Sequence, residues 1–324
     1  MTPAAYQQAL AKSGKGSGKA RHSQGKLLFR KWLRVIIAST SYYTGLAFLS
    51  HSRARVRILM YHSIDQDPLD VHTVSPMAFE EQMHFLATRC NIIPLDQLVD
   101  HLDGKGSLPD NPVVITFDDG WANNYTVAYP ILKKYRLPAT MFVIPEWIAS
   151  CEMAQTSKTQ PNEKRHMTWD QIREMSRHGI SIGAHTISHR SLPTLTLQKV
   201  RYELLESKAR LEQQLGQPVR FFAYPYGAFR DLNRNIARMV AECGYACAVT
   251  SLSGTNGPSA DLYALRRTEI EASDGMYVFG RVMAGGLDSW IVLQRLLWVT
   301  QVLHRCITKR KQWVESALHS EKLN

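Results

Sequence analysis

Short apolar runs alternate with amphipathic stretches through the middle of this chain, and most of the runs end in a polar cluster. Val56–Tyr61 stops at His62, Val113–Phe117 at Asp118-Asp119-Gly120, Ile180–Ala184 at His185, and Phe221–Tyr224 at Pro225-Tyr226-Gly227. Ala139–Ile144 and Cys243–Thr250 are two further runs. Such runs read as buried strands. Between them the spacing is helical. Ser75-Pro76 opens one helix with Phe79, Met83 and Leu86 on a face, and Tyr125, Tyr129, Ile131 and Leu132 mark another that Pro130 interrupts early. Thr168–Met175 is a third, stopping by Gly179; a fourth carries Leu197, Val200, Leu204, Leu211 and Leu215 and ends at Gly216. Strands alternating with helices predict a parallel α/β sheet or barrel. In such folds chemistry collects at the C-terminal ends of the strands, where these polar clusters fall.

The length of 324 residues suits a barrel of about 200–250 residues with tails, or two ordinary domains. At 44% hydrophobic and 21% charged, the chain is neither wholly disordered, nor collagen-like, nor a polytopic membrane protein. Its net charge of +11 is uneven: residues 1–57 hold 11 Lys/Arg and no acid, residues 58–288 hold 22 against 26 Asp/Glu, and residues 289–324 hold 6 against 2. A slightly acidic middle argues against a nucleic-acid groove, and no nucleic acid is expected; the basic ends point to an anionic surface.

Four regions follow. Residues 1–26, with the Gly/Ser/Lys run Lys12–Lys19, form a disordered basic tail. Residues 27–56 form an apolar, basic helix. Its uncharged run Val35–Ser50, 16 residues, is shorter than the roughly 20 a spanning helix needs. A secretory signal, a marginal span and an amphipathic helix on a membrane surface or on the domain all stay open, the last being the expectation. Residues 57–287 hold the α/β domain. Residues 288–324 form a second basic amphipathic helix, through Trp290, Leu293, Leu296, Leu297 and Leu303, that lies on a membrane or packs on the barrel. The five cysteines, odd in number and without C-x-x-C, indicate neither a disulfide framework nor a zinc knuckle. Free thiols favour a reducing compartment, and a cytoplasmic position or a peripheral one at the inner membrane is expected over export.

The chemistry-bearing residues gain specificity as a set. Asp118-Asp119 before a glycine is by itself an ordinary polar turn. His185 and His189, at i and i+4, would share one face of a helical turn and could grip an ion. The Tyr226 N–H, next to the amide that Pro225 lacks, is a candidate oxyanion donor. His62 ends the first strand. One carboxylate and two imidazoles make a catalytic metal set with open positions; a second carboxylate can then serve as base and a distant His as acid.

Thr116-Phe-Asp-Asp-Gly120, His185-Thr-Ile-Ser-His189 and Tyr224-Pro-Tyr-Gly227 closely resemble, in order and spacing, the first three motifs of the NodB-like polysaccharide deacetylases, carbohydrate esterase family four. The resemblance covers about residues 57–272. It implies an incomplete, deformed β/α barrel that removes acetyl groups from N- or O-acetylated sugars. It implies Asp118 as general base, Asp119, His185 and His189 as ligands of a divalent metal, and the Tyr226 amide as oxyanion donor. Zn²⁺ is the expected metal, with Ni²⁺, Co²⁺ and Fe²⁺ also compatible. Two departures stand out: Ala223 replaces an Arg many members carry, and no late Leu-rich motif supplies an acid His. The chain therefore resembles the permuted subgroup that deacetylates poly-β-1,6-N-acetylglucosamine, which implies His62 as the acid. Arg266, or its neighbour Arg267, is expected to replace the missing Arg and orient Asp118. Trp121, Tyr125, Trp147, Trp169 and Tyr226 are candidate sugar-stacking faces. The substrate expected is an N-acetylated exopolysaccharide or glycan precursor. The rivals are a cyclic-amide hydrolase on the same fold and a non-catalytic scaffold binding membrane or nucleic acid through its basic end.

Overall fold

β1 (Arg57–Tyr61) is buried at every residue, as a strand covered on both faces must be. In this computed structural model, which describes residues 29, 32–44, 55–66, 71–156, 166–302 and 308, β1 belongs to an eight-stranded parallel sheet. β2 (Ser63–Ile64) and β3 (Thr73–Val74) make a separate parallel pair. β4 (Asn91–Ile92), β5 (Pro112–Phe117), β6 (Thr140–Val143), β7 (Ser181–Ala184), β8 (Phe221–Ala223), β9 (Cys247–Val249) and β10 (Thr268–Glu269) complete the set. The main order is β10-β1-β5-β6-β7-β8-β9, with β4 on β5. The sheet curls into an incomplete β/α barrel. Its edges, β9 and β10, are linked across the gap by Thr250 N–H to the Leu265 carbonyl and Arg267 N–H to the Leu252 carbonyl.

Side-chain alternation sorts the core into two layers. Ile58, Val114, Phe142, Ala223 and Val249 share one cluster; Leu59, Ile115, Met141, Ile182 and Phe222, each one residue out of phase, share the other with the helices. Phe142 fills the space beside β7 so fully that a Cβ on Gly183 would sit 2.5 Å from its ring.

The helices match their spacing. Ser75 caps Pro76–Arg89, Thr168 forms a capping box on Trp169–Arg177, and Leu197–Leu215 ends on Gly216 in the left-handed region. Pro130 does not interrupt its helix: a π-helical turn, Asn124–Ala128, precedes Tyr129–Tyr135 and places the proline in its first turn. The strand read over Cys243–Thr250 shortens to β9, because Cys243 caps the helix Arg234–Glu242 and Gly244, at φ +80°, turns the chain.

The described part of the N-terminal region is a helix over residues 32–43 docked on the barrel. Arg34 is buried, with Nη1 donating to Glu271 at 2.7 Å, Nε and Nη2 to the Asp274 carboxylate, and Nη2 also to the Glu269 carbonyl. A second helix, over 290–302, reaches the loops after β8 and β9 through Gln294, which bonds Ser251 and Ser253, and Trp298, whose ring lies 5.9 Å from Phe229. Residues 1–26, 45–54 and all of 303–324 but residue 308 lie outside the described residues, as does Cys306; the other four cysteines are free thiols.

Candidate active site

β5 delivers Asp118 and Asp119 together, and the backbone then sends them apart. Asp119 has φ +72°, a conformation costly for a residue with a Cβ. Thr186, His189 and Tyr226 are also left-handed, so four of the six positive-φ non-glycine residues described lie in the motif loops. Strain concentrated in this way accompanies sites whose geometry the surrounding fold imposes.

Asp118 is buried, and both its oxygens receive the Arg267 guanidinium, Nη1 at 2.7 Å and Nη2 at 2.6 Å. Burial raises its pKa, but Arg267 and then His185 outweigh that and hold it down at about 2. Arg267 is fully buried and spends its remaining donors on the Thr250 carbonyl at 2.8 Å and Thr116 Oγ1 at 3.2 Å. This corrects the expectation for Arg266, whose side chain is exposed and makes no contact with Asp118. Strand alternation from the interior residue Leu265 is the signal that points to Arg267, two residues on.

Asp119 Oδ1 lies 3.7 Å from His185 Nε2 and 3.5 Å from His189 Nε2. The two imidazoles are not on a helical turn, as their spacing suggests; residues 185–189 form a loop. His185 Nδ1 donates to the Ala223 carbonyl at 2.8 Å, which leaves the Nε2 lone pair facing Asp119. Burial, and next the neighbouring His185, lower the His189 pKa to about 4, so its ring is neutral at neutral pH, the ligand form. The three ligand atoms lie within 4.8 Å of one another. Donor type, tautomer and charge therefore fit a divalent cation such as Zn²⁺ held by Asp119, His185 and His189.

Several supporting residues have no sequence signature. Glu203, buried on the helix Leu197–Leu215, accepts from the Ile187 and Ser188 N–H groups and from Ser188 Oγ at 2.5 Å, bracing the histidine loop. Asp231 ties that loop to the next through Ser191 Oγ at 2.6 Å. Trp121 Nε1 donates to Asp119 Oδ2 at 3.2 Å. His166 stacks on Trp121 and lies 4.8 Å from the tilted ring of Trp147, and Trp147 and Tyr226 each place their rings 5.0 Å from His189. Trp169 instead packs in the core, and Tyr125 stacks on Tyr129 and bonds Glu174, so only three of the five aromatics border the triad.

Tyr226 is half exposed, and among the described residues its N–H donates no hydrogen bond. Gly227 follows at φ +55°, where a Cβ would lie 2.6 Å from the Ser251 nitrogen. His62 stands at the end of β1 near enough to influence the charge state of Asp118, and its Nδ1 is buried without a hydrogen-bond partner.

The polysaccharide deacetylase family model matches residues 105–248. YxkH of Bacillus subtilis, assigned to the polysaccharide deacetylases, is 34% identical over 230 residues, 70% of this chain and 75% of its own length. The chain belongs to the polysaccharide deacetylase family. A poly-β-1,6-N-acetyl-D-glucosamine N-deacetylase of Staphylococcus aureus is 27% identical over 164 residues, 49% of this chain and 56% of the enzyme's length. Among solved structures, the Streptococcus pyogenes deacetylase PplD, in complex with acetate, superposes with a TM-score of 0.62 at 26% identity, covering 72% of this chain and 99% of that one.

Proposed function

We propose that this chain hydrolyses the N-acetyl groups of a β-linked poly-N-acetylglucosamine or a related glycan precursor, releasing acetate. The observation that carries the reading is the convergence of Asp119, His185 and His189 beside a separate carboxylate, Asp118, held by Arg267. Likeness to the S. aureus N-deacetylase supports the substrate class.

Asp119, His185 and His189 would hold a divalent cation, which would supply Lewis acidity toward the acetyl carbonyl and lower the pKa of a bound water. Asp118, oriented by Arg267, would take a proton from the attacking water. The Tyr226 N–H donates to the developing oxyanion, a contribution of about 3–4 kcal/mol for one such donor. His62 gives a proton to the sugar nitrogen as the C–N bond breaks, so amide plus water becomes amine plus acetate. Trp121, Trp147 and Tyr226 offer faces for sugar rings. Acetate release from poly-N-acetylglucosamine, abolished by EDTA and restored by Zn²⁺, is the expected result. Release that is indifferent to EDTA, or absent after zinc loading, sinks the reading.

We further propose that the enzyme sits peripherally at the inner membrane, on an anionic lipid surface. Trp32, Ile36 and Tyr43, at 64, 56 and 72% exposure, line one side of the N-terminal helix, opposite the buried Arg34, Ala38 and Ser41, and Phe29, before it, is 70% exposed. An aromatic stripe in a segment without acidic residues suits interfacial binding. Among the described residues no helix is long and apolar enough to cross a membrane. Phe29→Ser/Trp32→Ser/Ile36→Ser should abolish cosedimentation with phosphatidylglycerol vesicles; equal binding by that variant and wild type overturns the placement.

A further inference from the structure

Beside the proposed catalytic triad lies a second set of metal-ligating side chains. His62, His72 and Glu269 each offer one ligand atom, and these atoms lie within 4.8 Å of one another, as do those of Asp119, His185 and His189. The imidazole pairs match as well: ring centres are 5.0 Å apart for His62 and His72, and 4.8 Å for His185 and His189. Two imidazoles bound tetrahedrally to one ion at about 2.0–2.1 Å put their centres about 5 Å apart, so both pairs are spaced for a shared cation.

Three elements build this set. His62 ends β1, His72 precedes β3, and Glu269 lies on β10, paired with Met60. Glu269 lies two residues beyond Arg267, whose guanidinium holds Asp118. The Glu269 backbone is itself held, its carbonyl accepting from buried Arg34 at 3.0 Å. Glu269 Oε1 meets His72 Nδ1 at 2.5 Å, a hydrogen bond that keeps the carboxylate beside the imidazoles. His62 Nδ1 is a buried nitrogen without a hydrogen-bond partner, which leaves a ligand atom uncommitted.

We propose that His62, His72 and Glu269 form a second, weaker site for a divalent transition cation, Zn²⁺ in the first instance. Two imidazoles and one carboxylate are a common zinc set. The site is weaker than the first because His72 is about half exposed, with side-chain exposure of 47%. It deepens the proposed function in one respect: His62 is also the proposed acid. A cation bound there takes the imidazole lone pair that otherwise accepts the proton His62 delivers, so the second equivalent of zinc inhibits what the first activates.

The test is zinc stoichiometry of the full-length chain by isothermal titration and elemental analysis, which needs no turnover. Wild type is expected to bind two ions, the second more weakly, and His72→Gln and Glu269→Gln one each, with unchanged circular dichroism. A single ion in wild type at saturating zinc, or two ions in both variants, overturns the proposal. His185→Ala serves as the converse control, losing the tighter ion and keeping the weaker one. The kinetic arm compares acetate release at one and at tenfold excess zinc. Wild type should slow at least several-fold in excess, and His72→Gln should not; equal slowing of both overturns the link to His62. Two-ion binding without acetate release would defeat the proposed function and leave this site standing.

Discussion

At the scale of single residues, the pairing of Asp118 with Arg267 governs both chemistry and stability. Asp118→Asn keeps the shape and removes the base. It should retain zinc while lowering kcat about 10²–10⁴-fold, the usual worth of a positioned base; turnover within a factor of two of wild type ends that assignment. The same carboxylate sets an acid limb. Its folded pKa of about 2 lies below the unfolded value near 3.9, so its stabilisation is complete above pH 4 and disappears as pH falls through 2. The shift corresponds to an order of 2 kcal/mol. In urea titrations, the stability advantage of wild type over Asp118→Asn should shrink between about pH 4 and pH 2; a pH-independent difference contradicts it. The sequence pointed to this region but to the wrong arginine first. Arg266 and Arg267 are chemically identical, and only the side of the chain each occupies just before β10 separates a buried, doubly bonded guanidinium from an exposed one.

At the scale of elements, loops at the C-terminal ends of parallel strands do the positioning, and helices behind them hold the loops. Glu203 is the clearest instance: one carboxylate from the helix Leu197–Leu215 satisfies two N–H groups of the histidine loop. Glu203→Ala should fold, lose about 10–100-fold in zinc affinity, and regain part of it as Glu203→Gln, since outer-shell partners orient ligands. Zinc binding unchanged in Glu203→Ala would show that the loop holds itself. Gly227→Ala tests the loop after β8. Its Cβ meets the Ser251 nitrogen, so the Tyr226 amide must shift, and kcat should fall with zinc content intact. The helices were legible because capping residues and apolar spacing are local signals, as at Thr168 and Gly216. β2, β3, β4 and β10 were not, because two-residue strands carry no periodicity.

At the scale of the whole molecule, the N-terminal helix and the segment Glu269–Asp274 are one electrostatic unit. Arg34 is buried against Glu271 and Asp274, so Arg34→Met leaves two buried carboxylates without their cation. A loss of about 3–5 kcal/mol is expected by chemical denaturation, the usual cost of breaking a buried pair from one side. A loss under 1 kcal/mol would mean that the helix rests only loosely on the barrel. The amino-acid sequence alone determined the alternation of strands and helices, the motif residues 118–119, 185–189 and 224–227, and the family they resemble, because each is written in contiguous residues. Tertiary structure decided which arginine faces Asp118, how a loop and not a helical turn joins His185 to His189, and that His62, His72 and Glu269 meet. Those outcomes depend on strand register, left-handed backbone at individual residues, and contacts between segments up to about 200 residues apart, where burial selects partners that no local pattern encodes.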